Sequence, residues 1–551
     1  MWLRRALLLS YMTMWTGCRF LSGYADGPSS QLMAHQTEPQ PGFYRLLFDD
    51  FQGLSTETLQ RSALPYKVVG AALMLHHQTA EPSRTAFQQL LQERYGFVIP
   101  ETVANVPQPK QPSFQYPLGL VGGTVQRSLP TLELEVVNTG CSTCHSASLR
   151  DERGAPTNKV WVGLPSSDIH LERYVQELYA SLTEGLEQEE RLMNTLQQAF
   201  PEVSAAELST IRRFVLPPAR ARFQELEKLG RFTPYSNGGV GLTNGAGTLQ
   251  YYLGWLGLDA VHPEQAGYTS VPSFGGLGHK RMLLCDGVYE APARLREAQD
   301  APLGSPLHRE ALASMASMVT LGTLGVSPEV AVQNQPRMQE VVTYLVETHR
   351  TPPFPGTLDK GKADAGAQVY EAQCQRCHGQ YEPDPAGGLP WRLVRYPEKR
   401  VPLDEIESDP VRTALVTEDM ARRINDTPLG KILSAQATDG YMAIPLNGLW
   451  ATAPYLHNGS VPTLWHLMHP EARPTQFEVG GHALDYEKLG IKGALEAETG
   501  VYRYPKNFRP WTQSEVFDTR TLGRSNRGHE QLFEGLEEAE KAQLLEHLKR
   551  F

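Results

Sequence analysis

Along residues 171–182 the apolar side chains Leu171, Val175, Leu178, Tyr179 and Leu182 recur at intervals of three and four, the period of one helix face. They predict a mostly helical segment from Asp168 to Leu229, whose stripe is most simply core packing. Amphipathic spacing also predicts helices over Met338–Thr348 and Glu537–Leu548, one in each half of the chain. A further helical run, Ala363 to Cys374, has Asp364 as its expected N-cap. Alternation with a period of two appears at Leu132-Glu-Leu-Glu-Val-Val137, a strand followed by the turn Asn138-Thr-Gly140. Thr351-Pro-Pro-Phe-Pro-Gly356 ends one helix and reads as a linker. The expected class is mainly α, with long loops, a helical insertion in the first half and few short strands.

Composition bounds this picture. With 551 residues and 40% hydrophobic content the chain can bury a core and should divide into domains. The formal net charge of −10 leaves no basic stripe to argue for nucleic acid. Arg4-Arg5 followed by Ala6 to Trp15 is a basic and then apolar start too short to span a bilayer comfortably, as in a signal peptide over residues 1–25. Thr16-Gly17-Cys18 offers lipidation at Cys18 as an alternative to cleavage near Gly23 to Ala25. The expected location is the periplasm or an outer-membrane surface, with a lipid anchor as one route to it.

Four of the six cysteines fall in Cys141-Ser-Thr-Cys144-His145 and Cys374-Gln-Arg-Cys377-His378. In such motifs two thiols add to porphyrin vinyl groups and the adjacent imidazole reaches the iron. A zinc site would need further ligands close by, yet after the first motif the next histidine is His170 and the next cysteine Cys285. Two covalently bound haem c groups are therefore expected. Their positions suggest tandem cytochrome c-type domains, 116–355 and 356–551, preceded by an irregular extension over 26–115. The glycine-rich Asn237–Gly247 run lies in no strand-loop-helix nucleotide unit and reads as a surface or haem-edge loop.

The stretch Pro454-Tyr-Leu-His457-Asn-Gly-Ser460 resembles the Pro-Tyr-x-His-[Asp/Asn]-Gly-Ser segment of the di-haem cytochrome c peroxidase superfamily. Its form is that of the rubber oxygenase and fatty-acid dioxygenase branch, as is Asn526-Arg-Gly-His529. The resemblance covers roughly residues 116 to 551 and implies unequal haems. His378 and His529 would saturate one iron, leaving it to pass electrons, while His145 would hold an iron with an open face. Met442, His457, Met468 and His469 are rival ligands, and a surface histidine is the plainer alternative for His529.

In the superfamily the region around Val271–Gly287 carries a tryptophan between the haems. Cys285 stands in its place here, and Val288 replaces the arginine that follows. The resemblance offers Phe274 as an inter-haem aromatic, Tyr289 as a distal aromatic and Glu310 as an acid-base carboxylate. Core packing is the alternative for the two aromatics, and an exposed helical position for Glu310. His279 and Lys280 are candidate distal or propionate contacts. The implied partners are a small oxidant, dioxygen or peroxide, with an unknown organic substrate such as an unsaturated lipid or hydrocarbon, or a small electron-donor protein. Calcium between the domains is left open.

Overall fold

A computed structural model describes residues 29–35, 37–54, 63–106, 111–127, 132–228, 233–256 and 265–551. The expected signal segment and Cys18 lie outside the described residues. The C-terminal amphipathic run forms the helix Glu538–Leu548, capped by the reciprocal bonds of Glu537 and Glu540. It crosses the helix Lys360–Gln373 at Gly366, where a Cβ would lie 2.0 Å from the Gln543 carbonyl oxygen. Only glycine allows this approach, so Gly366→Val should cost about 1–3 kcal/mol or more, read as a lower melting temperature. The Lys360–Gln373 helix begins one turn earlier than expected. Asp359 caps it through Lys362 N–H at 3.1 Å, and Asp364 instead pairs with Arg550, just past the end of the crossing helix.

The same crossing recurs in the first half, between Pro41–Phe48 and Gln335–Glu347. A Cβ on Gly42 would lie 1.9 Å from the Glu340 carbonyl oxygen. The segment expected to be an irregular extension thus contains a helix of the first crossing, followed by the helices Tyr66–His76 and Arg84–Tyr95. Its mixed pattern hid them: Tyr66–His76 is buried all round, so no polar face announces its period. Buried charges tie it to its neighbours. Lys67 Nζ lies 2.5 Å from Glu207 and 3.3 Å from Glu135, joining this helix to the insertion and to the strand Leu132–Thr139.

The longest strands are the antiparallel pair Leu120–Arg127 and Leu132–Thr139, followed by Pro156–Val162. Among the described residues three large apolar clusters fill the interior, one around Phe43, Leu312 and Val341, one around Tyr370, Trp450 and Phe517, and one around Val69, Phe87 and Phe200, with two small ones around Val401 and Leu295. Burial pushes His547, at the second crossing, and His349 down to about 4. Both stay neutral in the folded protein where the unfolded chain, near 6.5, takes up protons. Stability should therefore fall as pH drops from about 6.5 toward 4 and be unaffected by these groups above that range, a trend that melting temperature against pH would check.

Candidate functional site

Each Cys-x-x-Cys-His motif forms a single helical turn, with the His145 N–H on the Cys141 carbonyl at 3.0 Å and the His378 N–H on the Cys374 carbonyl at 2.9 Å. One turn brings both thiols and the imidazole to the same side. Ser142 Oγ donates to the Leu47 carbonyl, fixing the first motif to the Pro41–Phe48 helix. Burial pushes the thiols of Cys141, Cys144 and Cys374 up to about 12, which keeps them neutral. Among the described residues no three His, Cys, Asp or Glu side chains converge as a metal site.

Both motif histidines are oriented alike. His145 Nδ1 donates to the Pro272 carbonyl at 3.1 Å, and His378 Nδ1 donates to the Ile444 carbonyl at 2.8 Å. A carbonyl accepts only, so the proton sits on Nδ1 and each Nε2 keeps a free lone pair, as an axial ligand requires. The Phe274 ring stacks on His145 with centroids 4.0 Å apart. The ring also lies on the wall of the cavity between the two motifs.

His529 faces His378, with centroids 6.4 Å apart and planes 23° apart. Its backbone is left-handed, at φ 71°, and its Nδ1 has no hydrogen-bond partner. Arg473 holds the turn in place: one guanidinium donates to the carbonyls of Asn526 and Gly528 and to the Glu530 carboxylate. Burial, then the charges of His378 and Arg473, push the His529 imidazole down to about 3. Of the rival ligands, His469 is committed at both nitrogens, to the Trp465 carbonyl at 2.6 Å and to Glu538 at 2.9 Å. Met442, His457 and Met468 remain on the cavity wall.

A cavity of about 2700 Å³ joins the two motifs, well above the ~300–1,000 Å³ of an ordinary ligand pocket. Cys285 and Tyr289, which begins the strand Tyr289–Glu290, both line the cavity, and Cys285 packs with Cys377 against a small cluster around Val401 and Tyr441. Arg412, on the wall, forms a buried ion pair with Asp286 behind it, Nε to Oδ2 at 2.8 Å, and His457 Nε2 has no hydrogen-bond partner. Lys280 also lines the wall, and burial pushes its ammonium down. An unpartnered imidazole nitrogen and a buried ammonium on the wall suit a ligand with carboxylates, as a haem has.

Much of the remaining wall is apolar, with Arg222, Glu225, Asp404 and Glu405 among its polar residues. Leu171, Val175, Leu178 and Leu182 pack in the cluster around Val69, Phe87 and Phe200, as expected, and with Tyr179, Phe214 and Phe223 they also line the cavity. Amphipathic spacing cannot separate core from cavity wall. His279 is not on the wall. Glu310 lies on the outer face of the helix Pro306–Leu324, 3.0 Å from Arg294, and does not reach the cavity. The Asn237–Gly247 loop borders the cavity through Asn237, Thr243 and Gly245.

Residues 440–478, which carry Ile444 and His457, match the family described as RoxA-like, cytochrome c-like. The match implies covalently bound haem c and a haem cytochrome oxidoreductase. Two curated proteins of Sinorhizobium fredii (strain NBRC 101917 / NGR234) are similar, both described as uncharacterized. The protein y4iJ is 29% identical over 301 residues, 42% of this chain and 46% of that protein. The protein y4iM is 41% identical over 95 residues, 17% of this chain and 20% of that protein. The chain spans less than half the length of either relative.

Proposed function

We propose that, with haem c as its cofactor, this chain is an exported di-haem oxidoreductase that activates dioxygen or peroxide at the His145 haem and oxygenates an unsaturated apolar chain. The His378 haem, closed by His529, is its electron-transfer centre. The observation that carries the reading is the unequal partnering of the two motif histidines. An imidazole nitrogen sits about 2.0–2.1 Å from a first-row divalent metal, so two rings sharing one ion stand roughly 6 Å apart between centroids, close to the 6.4 Å of His378 and His529. Among the described residues no second imidazole pairs with His145 in this way.

The residues divide the work accordingly. The four motif cysteines attach the porphyrins, and Pro272 and Ile444 hold the axial imidazoles in one tautomer. Arg412, Lys280 and His457 are placed to meet carboxylates. Bound haem supplies the redox chemistry, electron transfer where both axial positions are filled and small-oxidant binding where one is open. The apolar wall from Leu171 to Leu182 with Phe214 and Phe223 binds the chain and excludes water.

Peroxide reduction is the alternative, but Glu310, its acid-base candidate, is turned away from the cavity. The holo-protein should take up oxygen in the presence of an unsaturated fatty acid or polyisoprene. Peroxide consumption with reduced cytochrome c and no such uptake would transfer the protein to the peroxidase reading. Neither activity would leave a cytochrome that only passes electrons.

A further inference from the structure

The two carbonyls that hold the motif histidines belong to segments that run against each other. Segment 270–287 carries Pro272, and segment 440–457 carries Ile444. They are joined at three places. The Ser270 N–H donates to the His457 carbonyl at 2.7 Å, and the Met442 N–H to the Cys285 carbonyl, also at 2.7 Å. Between these bonds the backbones are in close contact: a Cβ on Gly275 would lie 2.8 Å from Asn447 Cβ, and one on Gly276 2.6 Å from Pro445 Cβ. Gly276 also holds φ 71°, which disfavours any side chain there.

Both ends of this double segment are anchored to the motifs. On one side the Gly163 N–H donates to the His145 carbonyl, and the Gly163 carbonyl accepts the Phe274 N–H, both at 2.8 Å. On the other, Tyr381, three residues after His378, accepts the Leu446 N–H at 2.6 Å and donates to Asn447 Oδ1 at 3.4 Å. With Cys285 where an inter-haem tryptophan was expected, this backbone contact is a continuous link between the two axial ligands.

We infer that segments 270–287 and 440–457 form a strap that couples the two iron centres, so that displacing one axial carbonyl shifts the electronic state of both. A hydrogen bond from Nδ1 makes an imidazole a stronger donor and stabilises the oxidised iron, so loosening the bond raises the potential. Tyr381→Phe removes only the hydroxyl that holds Leu446 and Asn447, and Gly276→Ala wedges the strap at its centre. Phe274→Leu, which removes the ring on His145 and leaves the strap contacts, serves as the local control.

The inference rests on the two-haem reading, so the haem count of the wild-type protein is read first, by intact mass. One haem contradicts that reading. With two, a redox titration resolving both centres should show both midpoint potentials rising in Tyr381→Phe and Gly276→Ala, and only one moving in Phe274→Leu. If Tyr381→Phe moves one potential alone, or neither, the strap does not couple the centres. Tyr381→Phe is the deciding variant because it adds no atoms and keeps the fold.

Discussion

Replacing His529 with alanine is expected to turn the closed haem into an open one. The wild-type protein should bind one cyanide per chain, and His529→Ala two, with a low-spin signal replaced by a high-spin one. The geometry gives this substitution little to compensate it. His529 is fixed in a left-handed turn by Arg473, and His469, the nearest rival in sequence terms, is held at both nitrogens. Added imidazole should restore the low-spin signal by entering the vacated volume. Persistence of that signal in the variant would assign the second axial position to Met442, His457 or Met468 instead.

The second large effect is expected on the apolar wall. Val175 stands at the middle of the stripe from Leu171 to Leu182, on the cavity side of the helix Leu171–Glu187. An aspartate there, with no partner, costs several kcal/mol to keep charged and so brings water into the wall. Val175→Asp should lower kcat/KM for an unsaturated apolar chain by roughly 10- to 100-fold, or about 1.4–2.8 kcal/mol, mainly through KM. Cyanide binding at the open haem should be unchanged, and Val175→Leu should behave like wild type. An equal loss of cyanide binding would mean that the wall shapes the haem pocket rather than holding substrate.

Legibility in the sequence followed how local each interaction is. The Cys-x-x-Cys-His turns were plain because one helical turn contains their whole chemistry. His529 was visible only through the resemblance, since its partner His378 and its clamp Arg473 lie far from it in the chain. The Pro41–Phe48 helix was missed for a similar reason: it completes a crossing with Gln335–Glu347, and nothing near Gly42 announces that contact. Phe274 was noticed for its aromatic ring, with core packing as the alternative, but its stacking on His145, far away in the chain, could not be read. Glu310 was a matter of register: three-dimensional placement turned it toward Arg294. The stripe at 171–182 packs in the core as read, but its second place, on the cavity wall, was not legible, because periodicity reports which face is apolar and not all that lies against it.

The most direct test of the account is the electron paramagnetic resonance spectrum of the purified holo-protein before and after cyanide. Two unequal haems predict one low-spin centre that ignores cyanide and a second, ligand-accessible centre that responds to it. Two low-spin centres, both indifferent to cyanide in the oxidised and the reduced protein, would contradict it.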